Sequence, residues 1–265
     1  MHLMRFTDAA GVVRWGRPTD SRHAAPLTGD PFGDYAVADA LLPVVRRLAP
    51  VDPPNIFAIG RNYREHAEEM KAAETEAEPL VFLKATTSVI GPDDSIVLPR
   101  SAPDEVDFEG ELAVVIGRTA RDVSEDRALD YVLGYCCAND VSARDCQKRR
   151  DKQWARGKSF DTFCPLGPAI VTGDSLAVGS LRVRTTLNGR IMQEASTADM
   201  IFPVPALVSY LSRQFTLLPG TVILTGTPGG VGAARSPQVF LRPGDEVTVE
   251  VEGIGALTNH VVPCA

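Results

Sequence analysis

The chain has 265 residues, 44% hydrophobic and 23% charged, with a formal net charge of -7; these values suit one or two folded domains and exclude a disordered or fibrous chain. The negative charge argues against nucleic acid or an anionic membrane as partner, since both reward Lys and Arg, and it obliges any anionic substrate to find a local positive field. Cys136, Cys137, Cys146, Cys164 and Cys264 are odd in number and form no Cys-x-x-Cys pair, and no run of about 18 apolar residues or secretory-type N-terminus is present, so the expectation is a cytoplasmic chain with free thiols, no zinc site and no membrane span.

Residues 3–6 and 12–15 read as a short β element, followed by a Pro- and Gly-containing connection and a largely apolar stretch at 37–48. Pro53 and Pro54 punctuate the chain, because proline lacks an amide donor and restrains its predecessor, and they mark a small N-terminal domain, 1–52, ahead of a larger one, 53–265. Beyond them, β-branched and apolar runs bounded by Gly, Pro or Asp predict strands at 56–59, 80–83, 96–98, 112–116, 183–187, 222–225 and 247–251. Asn188-Gly189 predicts a two-residue hairpin, as both central positions of a type I′ turn need positive φ. One helix is expected over 204–215, with Val204, Leu207, Val208, Leu211 and Phe215 on one face. Another is expected to open at Ser142 as N-cap, with Asp145 three positions later, and to run towards Trp154. The fold class is α+β, mainly β, with a few short helices.

The segment 105–111 alternates, placing Glu105, Asp107, Glu109 and Glu111 on one face of a strand. Carboxylates two residues apart have Cα atoms roughly 7 Å apart, a distance from which both reach one cation. Spacing alone favours a solvated acidic face; the apolar run at 112–116 shifts the reading towards burial, where carboxylates need a counter-ion. Asp140, just before the helix expected at Ser142, reads either as a helix cap or as a third oxygen ligand, completing an open all-carboxylate site suited to Mg2+ or Mn2+. Seven of the fifteen residues from Arg144 to Lys158 are basic, which is the positive field an anionic substrate requires. Arg149, Arg150 and Lys152 fit a solvated helix face paired with Asp145 and Asp151; Arg144, Gln147 and Lys158 are the candidates for pointing inward. His66 and Glu69 lie three apart in the polar segment 61–70, so the carboxylate would orient the imidazole, although an exposed charged helix or a mobile lid has the same pattern. The glycine-rich run 225–232 lacks a P-loop lysine; it reads as a plain turn or as a backbone nest for a substrate carboxylate, with Thr225 and Thr227 as hydroxyl donors.

Together these segments resemble the fumarylacetoacetate hydrolase family over residues 56–262. The resemblance rests on Gly60-Arg61-Asn62-Tyr63 with His66 and Glu69, Glu109-Gly110-Glu111, Asn139-Asp140-Val141-Ser142-Ala143-Arg144-Asp145 with Gln147, Gly157-Lys158-Ser159-Phe160-Asp161, Pro165-Leu166-Gly167-Pro168 and Thr225-Gly226-Thr227-Pro228, in the family order. It implies a rolled, barrel-like mixed β-sheet, a homodimer, and Mg2+ or Mn2+ on Glu109, Glu111 and Asp140. It further implies a His66–Glu69 water-activating dyad on a segment that orders over substrate, Lys158 as a polarising cation, and Arg61, Tyr63, Arg144, Gln147, Thr225 and Thr227 around a small anionic oxo acid. The reactions implied share an enolate: carbon-carbon hydrolysis of a 2,4-dioxo acid of acylpyruvate or fumarylpyruvate type is the first expectation. Decarboxylation or isomerisation of oxaloacetate or an unsaturated dicarboxylate is the alternative, and a non-catalytic binding protein is a third reading.

Overall fold

The computed structural model describes residues 1–69 and 77–264; Met70, the end of the segment read as a lid, lies outside them. The strand Gly110–Ile116 is the keystone. It pairs antiparallel with Val132–Asn139 on one edge and with Val222–Leu224 on the other, and every residue in it is buried. Its apolar run is continuous because both faces are covered: Leu112, Val114 and Ile116 enter one core with Leu207, Val208 and Leu211. Ala113 and Val115 enter another with Cys136, Ile170 and Leu224.

Outward from this centre, Val222–Leu224 runs parallel to Ile56–Gly60, which pairs antiparallel with Leu80–Lys84. On the other side Val132–Asn139 pairs with Cys164–Thr172, and that strand pairs with His2–Thr7, Leu3 facing Ile170. Through this last pairing the first strands of the chain, including Val13–Pro18 and His23–Gly29, extend the same thirteen-stranded sheet, and Leu3 packs in the core that holds Ile56 and Ala113. A second sheet orders Ser95–Leu98, Gly255–Pro263, Glu246–Val251, Arg182–Leu187 and Arg190–Ser196. Both sheets are open and mixed, and the fold is mainly β with few helices, as expected. Asn188 (φ 51°) and Gly189 (φ 77°) form the hairpin turn, both in the left-handed region.

The helix Val204–Gln214 buries Val204, Leu207, Val208 and Leu211. Phe215 ends the stripe outside the helix, 44% exposed, and stacks on Phe57 with ring centroids 5.0 Å apart. The helix expected from Ser142 to Trp154 is corrected. Ser142–Ala143 is extended and pairs with Val106–Asp107, and the Ser142 hydroxyl donates to the Asp140 carbonyl, 2.8 Å. Asp145 caps instead, accepting from the Cys146 amide at 2.7 Å, and a single wide turn, Cys146–Arg150, stops at extended Asp151 before the short helix Ala155–Lys158. The bridge to Asp107 holds Ser142 in a β conformation, so the first residue free to cap lies three positions later. The acidic segment is also divided, into Val106–Asp107 and Gly110–Ile116, rather than running as one strand.

Candidate functional site

Glu109, Glu111 and Asp140 converge where these strands meet. Gly110 is opposite Asn139 in the ladder, the Glu109 amide donates to Asn139 Oδ1 at 3.0 Å, and the Asp140 amide donates to the Glu109 carbonyl at 2.8 Å. This backbone lacing sets the three acids side by side. Glycine is required between the glutamates, since a Cβ at Gly110 would lie 1.9 Å from Thr185 Oγ1. All three acids are buried, and one oxygen from each lies within 4.8 Å of the others.

Three cations are buried with them. Lys158 Nζ bridges Glu109 Oε2 and Asp140 Oδ2, 2.6 Å from each. Arg144 reaches Asp107 Oδ2 with Nε at 2.9 Å, donates from Nη1 to Gln147 Oε1 at 2.9 Å, and makes an ion-pair contact with Glu109 Oε1 at 2.7 Å. Lys84 Nζ lies 2.6 Å from Asp140 Oδ1 and also donates to the Lys158 carbonyl. Burial would raise the Glu109 carboxyl, but the Lys158 and Arg144 charges hold it well below the usual carboxylate range. Glu111 goes the other way: burial, then the Asp140 and Glu109 charges, push it well above that range, opposed by Lys158 and by the Gly226 amide, 2.7 Å from Oε2.

With Glu111 counted as ionised, Asp107, Glu109, Glu111 and Asp140 carry four negative charges against the three positive charges of Lys84, Arg144 and Lys158. With a divalent cation added, the balance becomes one positive charge, the complement of a carboxylate. A Glu111 carboxyl forced upward by its neighbours and an all-oxygen donor set fit a hard ion such as Mg2+ or Mn2+.

A cavity of about 490 Å3 opens beside the cluster. Of the residues singled out from sequence, Arg61, His66, Glu69, Glu109, Arg144, Gln147, Lys158 and Thr227 line it; Glu111 and Asp140 belong to the buried cluster behind that lining. Phe82 and Trp154, edge to face at 5.4 Å, form an aromatic wall, with the Arg61 guanidinium 5.7 Å from the Trp154 ring. His66 is buried on the helix Arg64–Glu69, its Nδ1 2.7 Å from Glu69 Oε1, and Glu69 Oε2 accepts from the Gly230 amide at 2.8 Å. In the tautomer with Nδ1 donating to that carboxylate, Nε2 is the nitrogen without a proton.

Two of the proposed substrate-binding residues lie outside the cavity lining. Tyr63 is fully buried, its hydroxyl has no hydrogen-bond partner among the described residues, and burial raises its phenol. Thr225 Oγ1 donates to the Leu112 carbonyl at 2.8 Å. The glycine-rich run forms a nest, but the chain's own acids fill it: Gly226 serves Glu111, Gly230 serves Glu69, and the Gly232 and Ala233 amides, at 2.9 and 3.0 Å, serve Asp107. Gly226 (φ +100°) has no room for a Cβ, which would meet the Asn62 Cβ at 2.7 Å. Thr227 Oγ1 donates to the Gly110 carbonyl, and Gln193 ties that hydroxyl to the Gly110 amide. Sequence reasoning did not single out Gln193 or Lys84; the signal for Lys84 was a lone lysine closing the apolar strand Leu80–Lys84.

Residues 55–262 match the model of the fumarylacetoacetate (FAA) hydrolase C-terminal family. The chain belongs to the fumarylacetoacetate hydrolase family. It is 45% identical over 230 residues to the mitochondrial oxaloacetate tautomerase of Rattus norvegicus, covering 84% of this chain and 73% of that protein. Among solved structures it is similar to the 2-hydroxyhepta-2,4-diene-1,7-dioate isomerase of Mycobacterium marinum, with 42% identity, TM-score 0.87 and coverage of 99% and 98%. It is also similar to the fumarylacetoacetate hydrolase of Exiguobacterium antarcticum, with 38% identity, TM-score 0.89 and full coverage of both chains. The match takes in the acidic cluster, the His66–Glu69 pair and the glycine-rich run together. Among the described residues no helix is long and apolar enough to cross a membrane.

Proposed function

We propose that this chain is a divalent-metal-dependent enzyme that moves a proton to and from the enol of a small 2-oxo acid, catalysing tautomerisation or isomerisation. The observation that carries the reading is the convergence, on one cavity, of a carboxylate-oriented histidine and a cluster of three buried acids. Glu109, Glu111 and Asp140 would hold Mg2+ or Mn2+, which when bound supplies electrophilic stabilisation of charge on the 2-oxo group and its neighbouring carboxylate. His66 Nε2 takes the proton next to the carbonyl and returns it at a different atom, while Glu69, anchored by the Gly230 amide, steadies the imidazolium. Lys158 presents its ammonium, between Glu109 and Asp140, towards the oxygen that gains charge. The names borne by relatives, oxaloacetate tautomerase and an isomerase of an unsaturated dicarboxylate, favour proton transfer as the outcome.

Hydrolysis of a carbon-carbon bond in a 2,4-dioxo acid is the second reading, favoured by the same dyad, since His66 would then take the proton from an attacking water. Turnover of oxaloacetate, a hydroxymuconic-type dicarboxylate, acetylpyruvate and fumarylpyruvate, with Mg2+ or Mn2+ and then with chelator, tests both. Activity should disappear with chelator, and His66→Ala should lower kcat by about 10²- to 10⁴-fold. Cleavage products from fumarylpyruvate would select hydrolysis; a full rate in His66→Ala would refute the dyad in either reading. The homodimer and the cytoplasmic location belong to the same proposal.

A further inference from the structure

The basic stretch from Arg144 to Lys158 distributes its charges unevenly. Arg149 is paired with Glu105 at 2.7 Å, Arg150 with Asp145 at 2.9 Å and Arg156 with Asp151 at 2.7 Å. Arg144 and Lys158, which line the cavity, are neutralised by Asp107, Glu109 and Asp140. Lys148 also lines the cavity, on the turn Cys146–Arg150 next to Gln147, yet among the described residues it has no carboxylate within ion-pair distance. Burial, then the neighbouring Arg144 charge, lowers its ammonium below the ordinary lysine value. A cation at the rim of a cavity without a counter-ion gains from an anion brought into that cavity. The 2-oxo acid head is taken up at the acidic cluster, and the cavity of about 490 Å3 leaves room for a longer tail.

We infer that Lys148 is a specificity-determining residue that receives a second carboxylate, so that the enzyme takes dicarboxylic 2-oxo acids in preference to monocarboxylic ones. The inference rests on the 2-oxo acid reading of the site. Its geometry assigns the two ends of the substrate to different chemistry, the acidic cluster for the oxo acid head and the turn Cys146–Arg150 for the tail.

The test is calorimetric titration of the Mg2+-loaded full chain with 2-oxoglutarate and with 2-oxohexanoate, which replaces the distal carboxylate by an alkyl end. Wild type should bind 2-oxoglutarate more tightly, and Lys148→Met should weaken that ligand about tenfold or more while leaving 2-oxohexanoate unchanged, with Lys148→Arg restoring most of the difference. Lys148 is exposed at the cavity rim, so the variants should keep the wild-type melting temperature. Equal affinity of wild type for the two ligands, or equal weakening of both in Lys148→Met, would overturn the inference while leaving the 2-oxo acid reading intact. Binding of neither ligand by wild type would overturn that reading and the inference with it.

Discussion

Arg144 and Arg149 stand five residues apart on one short stretch, each paired with an acid at hydrogen-bond distance, yet they do different work. Arg144 is 2% exposed, lines the cavity with Glu109 and Gln147, and ties both to Asp107 behind them. Arg149 is exposed and its partner Glu105 is partly so, leaving water and salt to screen the pair. The contrast teaches that ion-pair distance says little by itself. A buried pair fixes geometry because neither partner has anywhere else to go, whereas an exposed pair exchanges with solvent at small cost.

The sharpest way to break the comparison is Arg144→Met, which leaves Asp107 and Glu109 buried without their shared cation. The unfolding free energy in denaturant should fall by about 3–5 kcal/mol. A change near zero would mean that the acids relax into water and that the cluster is not one electrostatic unit. Lys84→Met comes next, since it removes the side chain tying Asp140 Oδ1 to the Lys158 carbonyl. Mn2+ affinity read by electron paramagnetic resonance should drop about 10- to 100-fold without loss of fold. Unchanged affinity would show that Asp140 keeps its orientation unaided. The smallest effect is Arg149→Ala, which should leave both the denaturation midpoint and Mn2+ affinity at wild-type values. A loss rivalling that of Arg144→Met would erase the distinction between the two arginines.

How much of the site could be read in advance follows the range of the interactions. The acids in Glu109-Gly110-Glu111 were legible because the apolar run after them announces burial, although the strand begins only at Gly110 and Glu109 is set beside Asp140 by its backbone bonds to Asn139 and Asp140. His66 and Glu69 were legible because three residues on a helix bring side chains together. Arg144, Gln147 and Lys158 were separated correctly from the outward-facing arginines, and all three are buried. The nest in the run 225–232 was foreseen as a backbone feature but with the wrong occupant. Which acid reaches Gly226, Gly230 or Gly232 depends on partners 115, 161 and 125 residues away. Lys84 stayed hidden for the same reason, its contact with Asp140 spanning 56 residues.

By itself the chain determined what short-range sterics and periodicity control. These are the Asn188-Gly189 turn, whose two positive φ angles favour those residue types, the alternation that sends Leu112 and Ala113 into different cores, and the amphipathic stripe on Val204–Gln214. Tertiary structure decided the rest. It bent Ser142 into a bridge with Asp107 and passed the cap to Asp145, it joined the first strands to the central sheet through Leu3 and Ile170, and it brought Lys84 beneath Asp140. The reason is energetic: a local preference is worth about 1 kcal/mol, whereas a buried charge or a sheet hydrogen bond left unmade costs more, so long-range pairing overrides local preference wherever the two meet in the core.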